Sequence, residues 1–207
     1  MAATTMTGTG VLGSLTIFAG FWLSNLDHNY LWLASFGFVV NWFGDSLDGT
    51  VARYRKIQKP KYGFFIDHTV DALSTVLIFI GLGVSPYMRF EIASLALIGY
   101  LLMSILVYIR TCVNGEFKIS YAKMGPTEMR AIAILANTLV YATGNPKIPL
   151  VFTKLTVYDL IGSVIAVLLI IVFVISTLRQ ANELSQYDQN RDELFIGKKE
   201  EIRYDNQ

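Results

Sequence analysis

Four aspartates, Asp45, Asp48, Asp67 and Asp71, stand between stretches apolar enough to lie in a bilayer. An aspartate near the centre of a membrane span costs roughly 2.5–3.5 kcal/mol even on a lenient insertion scale. Four of them beside membrane spans need a compensating partner, and a bound metal is the best one. Composition supports the membrane setting. Of 207 residues, 53% are hydrophobic and 16% charged, against roughly 25% charged in a soluble domain, and the mean hydropathy is +0.46. These values fit one integral membrane domain. A net charge of +1 carries no signature of nucleic-acid binding. The single cysteine, Cys112, excludes an internal disulfide and a multi-cysteine metal site. Within its apolar run it reads as a packing residue. No basic region precedes the first apolar run, so no secretory signal is expected.

The pattern predicts an all-α membrane protein of six spans, since about 20 residues cross the hydrocarbon. They fall near 10–23 (with 5–9 completing its length), 31–51, 64–84, 92–112, 127–142 and 158–178. Pro60, Gly63, Pro86, Pro126 and the Thr-Gly-Asn-Pro turn at 143–146 punctuate them. Gly8, Gly10 and Gly13 are expected to let the first span pack closely. Residues 1–182 read as the membrane domain. Residues 183–207, with Glu183, Arg191, Lys198 and Lys199, read as a polar tail that prolongs the last helix and frays. Lys and Arg set the orientation. Arg53, Arg55, Lys56, Lys59 and Lys61 follow the second span, and Lys118 and Lys123 follow the fourth. The opposite loops carry only Arg89, Lys147 and Lys154. The aspartates, both termini and a polar cavity are therefore expected on the cytoplasmic side.

On helices, Asp45 and Asp48 lie at i and i+3, Asp67 and Asp71 at i and i+4, so each pair shares a face. The basic turn between them lets the second span return as the third, with the two pairs facing each other. An all-oxygen cluster suits hard cations such as Mg2+ or Mn2+. Two such ions can clamp the attacking and leaving oxygens of a phosphoryl displacement. Gly49 permits close approach to the backbone, and Arg53 with the nearby lysines can hold phosphate charge. Helix capping would account for a single aspartate, but not for two same-face pairs meeting across a turn.

The run Asp45-x2-Asp48-Gly49-x2-Ala52-Arg53, then nine residues, then Gly63-x3-Asp67-x3-Asp71 resembles the complete signature of the CDP-alcohol phosphotransferases, with all eight fixed positions at the family's spacing. The resemblance implies transfer of a substituted phosphate from a CDP-linked donor to an alcohol, with release of CMP, in phospholipid synthesis. It implies two divalent ions, Mg2+ or Mn2+, on Asp45, Asp48, Asp67 and Asp71, with Asp71 as general base. Gly49, Ala52, Arg53 and Gly63 would lie against the CDP moiety. A homodimer and a lipid substrate entering from the bilayer are also implied. Members often begin with an amphipathic helix on the membrane; this chain starts almost directly with its first span, a departure from that pattern.

Two substrate pairings stay open: CDP-diacylglycerol with a polar alcohol (glycerol phosphate, inositol phosphate or serine), or CDP-choline or CDP-ethanolamine with a lipid alcohol. Asp67-His68 is similar to a pairing in the choline and ethanolamine branch, and Thr127-Glu128 resembles another; both tilt toward the second. His68 otherwise serves packing, being turned about 100° from Asp67 on a helix. Glu128 and Arg130 would rim the cavity, or simply open their helix. Arg110 would hold phosphate or snorkel, and His28 is a solvated turn residue. A different class is a divalent-cation channel or transporter with the Asp cluster as its ion site. That reading calls for acidic features at the midplane, whereas these carboxylates gather at one face beside basic residues.

Overall fold

The computed structural model describes the backbone of residues 2–54, 60–114, 126–149 and 154–205, and the side chains of 8–47, 54, 61–113, 127, 129–147, 149 and 155–189. Among these residues stand six helices: α1 (Ala2–Leu23), α2 (Tyr30–Tyr54), α3 (Pro60–Gly83), α4 (Phe90–Asn114), α5 (Pro126–Thr143) and α6 (Val157–Asp205). The sequence did not signal a two-residue antiparallel pair between α5 and α6, β1 (Ile148–Pro149) and β2 (Lys154–Leu155), with Ile148 opposite Leu155. Among the described residues, three helical stretches are long and apolar enough to cross a bilayer: Lys61–Gly83, Phe90–Val113 and Val157–Gln189. Gly8–Leu23 and Met129–Thr143 are shorter apolar stretches. The protein is thus all-helical, apart from the small pair, with three candidate spans. Outward apolar side chains such as Leu135, Val164, Leu168 and Ile175 are each about half exposed or more, a surface suited to lipid.

The expected close packing of the first span occurs at Gly13 but not at Gly8 or Gly10, and Gly20 adds to it. A Cβ added at Gly20 would stand 2.4 Å from the Ala34 nitrogen, and one at Gly13 would stand 2.4 Å from the Asn41 nitrogen. From the other side, a Cβ at Gly37 would come within 2.7 Å of the Ile17 nitrogen. These are backbone atoms that cannot swing aside, so α1 and α2 touch main chain to main chain. Gly8 meets nothing, and Gly10 makes only an ordinary 4.0 Å approach to the Asp45 nitrogen. Gly81 brings α3 against the Phe18 Cα in the same way, at 2.9 Å. Ile17, Phe21, Leu31, Ala34, Phe38, Leu82, Tyr87, Met88 and Val140 form the core between them.

Several polar groups inside the bundle are paired. Asn137 Nδ2 donates to Ser35 Oγ at 3.0 Å, and the Tyr158 hydroxyl donates to Asn137 Oδ1, tying α2, α5 and α6 together. The start of α6 is a capping box: the Thr156 amide donates to Asp159 Oδ2 and the Asp159 amide to Thr156 Oγ1, each at 3.0 Å. Asp159 is 1% exposed, and its other oxygen accepts from the Arg89 amide at 2.7 Å, which anchors the turn before α4. Gly144 and Asn145 end α5 in the left-handed region, at φ 70 and 56°. At the same end, the Asn29 amide donates to Asp27 and holds that carboxyl below its ordinary range. The turns after α1, α3 and α5 meet here, as shown by Asn25 Nδ2 on the Val84 carbonyl and the Tyr141 hydroxyl on Asn29. The last helix runs to Asp205, further than a fraying tail would. At about 1.5 Å per residue, its 49 residues exceed any bilayer.

The close helix contact gives a stability test. Gly20→Ala and Gly13→Ala should each cost about 1–3 kcal/mol from overpacking, outweighing the roughly 0.5–1 kcal/mol that alanine gains in a helix. Gly8→Ala should cost nothing. Thermal unfolding in detergent measures all three.

Candidate active site

The buried stripe of α2 runs Leu31, Ala34, Phe38, Asn41, and its next turn delivers Asp45. On α3 the stripe runs in the other direction, from Leu82 and Ile78 through buried Ser74 to Asp71 and Asp67. Helical spacing of three and four therefore carries each apolar seam into an acidic end. Because α2 runs antiparallel to both α1 and α3, the C-terminal end of α2 and the N-terminal end of α3 lie at the same end of the bundle, opposite the turns at 24–29 and 84–89.

There Asp45, Asp67 and Asp71 line one small cavity of about 20 Å³, together with Gly10, Asn41, Val70, Ser74 and Arg130. Three of the four expected carboxylates are thus brought together. The side chains of Asp48, Gly49, Ala52 and Arg53 lie outside the described residues, as do the basic loop 55–59, the loop 115–125 and the Glu128 side chain. Gly63 sits in the first turns of α3, and a Cβ there would meet nothing within 4 Å among the described residues. Helix packing therefore does not require its lack of a side chain.

Arg130 supplies the cavity's counter-charge. Pro126 opens α5 in the first-turn position proline tolerates. One turn later the Arg130 guanidinium reaches across to α2, with Nη1 2.8 Å from Asp45 Oδ2. Its side chain is 11% exposed and that of Asp45 is 44%, so the pair forms at the cavity rim. Among the described residues, no three of His, Cys, Asp and Glu stand close enough to make a metal site by themselves. Arg130 offsets the charge of Asp45 at this rim. The donor set still fits a hard divalent cation: carboxylate and amide oxygens, with no thiolate or imidazole among the lining residues.

His68 turns aside from this cavity. Its Nδ1 bonds the Phe64 carbonyl at 2.7 Å, and its ring lies 4.2 Å from that of Phe64 and 5.6 Å from that of Tyr108. At the far end, His28 is exposed and packs on Tyr141 with ring centroids 5.0 Å apart. Arg110 lies half-buried on α4. Sequence reasoning missed Asn41 and Ser74. The signal was present, since Asn41 precedes Asp45 by one helical turn and Ser74 follows Asp71 by three residues.

The sequence model of one family, described as CDP-alcohol phosphatidyltransferase, matches residues 2–178. No curated protein and no solved structure matches the chain.

The Arg130–Asp45 pair predicts competition with a cation. Arg130→Gln should leave Mn2+ affinity equal to wild type or a few-fold tighter, in line with the roughly 0.2–1 kcal/mol of a partly exposed pair. Calorimetric titration measures this. Loss of Mn2+ binding would mean that Arg130 orients Asp45 as a ligand.

Proposed function

The chain belongs to the CDP-alcohol phosphatidyltransferase family, and on that premise we propose that it transfers a substituted phosphate from a CDP-linked donor to an alcohol in phospholipid synthesis, releasing CMP. The observation that carries this reading is the convergence of Asp45, Asp67 and Asp71 on one cavity from two helices, at positions that match the family signature.

Asp45, Asp48, Asp67 and Asp71 would hold two divalent ions, Mg2+ or Mn2+. When bound, these would supply charge stabilisation for the attacking and leaving oxygens. Arg53 and Arg130 would hold phosphate charge at the rim, and Gly49, Ala52 and Gly63 would leave room for the CDP moiety. Asp71 would take the proton of the acceptor hydroxyl as its oxygen bonds to the phosphorus carrying the donor's alcohol. The bond from that phosphorus to CMP breaks and CMP leaves. An alcohol is poorly nucleophilic until its proton is removed, and general-base assistance contributes about 10²–10⁴-fold.

All six helices would cross the membrane, with the acidic end cytoplasmic, residues 1–182 as the membrane domain and 183–207 as its tail. We further propose a homodimer with the lipid substrate entering from the bilayer. Asp67-His68 and Thr127-Glu128 tilt the reading weakly toward CDP-choline or CDP-ethanolamine with a lipid alcohol, with CDP-diacylglycerol and a polar alcohol as the other pairing.

Asp45→Asn or Asp67→Asn should abolish CMP release at any practical Mg2+ concentration; near-normal turnover in either would remove the metal assignment. Asp71→Asn should slow single turnover by about 10²–10⁴-fold while calorimetry finds donor affinity little changed. Equal loss of donor binding would make Asp71 chiefly a ligand. For sidedness, a cysteine at Gln58 in a Cys112→Ser background should react with an impermeant reagent only from the cytoplasmic side, and labelling from outside would invert the topology.

A further inference from the structure

Asn41 is 3% exposed and lines the acidic cavity, yet among the described residues its carbonyl oxygen has no hydrogen-bond donor. The other end of the amide is fully used. Nδ2 donates to the Gly10 carbonyl and to Ser14 Oγ, each at 2.9 Å. A carbonyl can only accept, so Gly10 fixes which end of the amide faces α1. Ser14 Oγ gives its own proton to the Gly10 carbonyl at 3.1 Å and therefore accepts from Asn41. The orientation turns Nδ2, not Oδ1, toward α1, in a side chain that lines the cavity with Asp45, Asp67 and Asp71. An acceptor buried without a partner is costly and calls for an explanation.

Building on the metal reading above, we propose that Asn41 Oδ1 is a neutral oxygen ligand to a divalent cation held by the carboxylates. Size and charge both support this occupant. About 20 Å³ accommodates a single water or a bare ion, since one water needs about 10–15 Å³. Three carboxylates against one guanidinium leave the cavity negative. An amide oxygen is a hard ligand of the kind Mg2+ and Mn2+ accept, and it extends the oxygen set without adding negative charge. Successive turns of α2 then offer Asn41 and Asp45, facing Asp67 and Asp71 from α3. Tying α1 to α2 needs only the NH2 group and leaves Oδ1 without a role.

The test uses the purified full chain in detergent with Mn2+ as the probe, in two arms. In wild type labelled with carbon-13 at the asparagine side-chain carbonyl, pulsed electron paramagnetic resonance should show coupling between bound Mn2+ and the label. In titrations, Asn41→Leu should bind Mn2+ about 10–100-fold more weakly, the range seen when groups supporting a metal are lost. Ser14→Ala, which removes an amide partner but spares Oδ1, should bind as wild type does. The labelling arm needs no substitution, so misfolding of Asn41→Leu does not blunt it. Bound Mn2+ without carbon-13 coupling overturns the role of Asn41 alone, provided Asp67→Asn abolishes binding. Wild type that binds no Mn2+, or Asp67→Asn that binds it normally, overturns the metal reading and this proposal with it.

Discussion

The main-chain contact between α1 and α2 is the constraint on which the rest depends. Gly13, Gly20 and Gly37 remove the side chains that would hold the two helices apart. In a bilayer, where lipid is as apolar as leucine, such close packing is a principal source of helix association. The contact also sets the site. With α1 this close, the Gly10 carbonyl and Ser14 hydroxyl meet the Asn41 amide, and the next turn of α2 brings Asp45 to the cavity. A packing interaction near the middle of the helices thus fixes polar chemistry at their ends.

Charge is confined accordingly. Each seam is apolar through the core and acidic only toward one end, late in α2 and early in α3, so the carboxylates lie away from the middle of the bundle, where their desolvation would be greatest. The acidic end is also served by a third helix, since Arg130 of α5 reaches Asp45. The opposite end is held by neutral and capping interactions: the Thr156–Asp159 box, the Arg89 amide on Asp159, and Asn25 on the turn after α3. One end is therefore stapled by a fully bonded buried carboxylate, while the other presents carboxylates to a cavity.

Much of this was legible in the sequence, for identifiable reasons. The helices follow from long apolar runs broken by Pro60, Pro86, Pro126 and Gly144, and the meeting of Asp45 with Asp67 and Asp71 follows from helical spacing across an antiparallel turn. Of the three glycines expected to pack on α1, Gly13 does so, whereas Gly8 and Gly10 lie too near the helix start. Composition says that glycine permits close approach; only the partner helix decides which glycine is used. The β1–β2 pair was invisible because two residues give no alternation to read. The reach of Arg130 to Asp45 was not visible either, since it joins positions 85 apart in sequence through the packing of α5 on α2. Asn41 could have been found from its spacing to Asp45. Its unpaired oxygen could not, because that depends on where α1 directs its carbonyls.

The measurement that bears most directly on the central claim is CMP release by the purified protein with Mg2+, across a panel of CDP-linked donors and alcohol acceptors. The account predicts that one pairing yields CMP and a phospholipid in equal amounts, only when donor, acceptor and divalent cation are all present. Cation binding and passage across a vesicle membrane, with no CMP formed from any pairing, would contradict it.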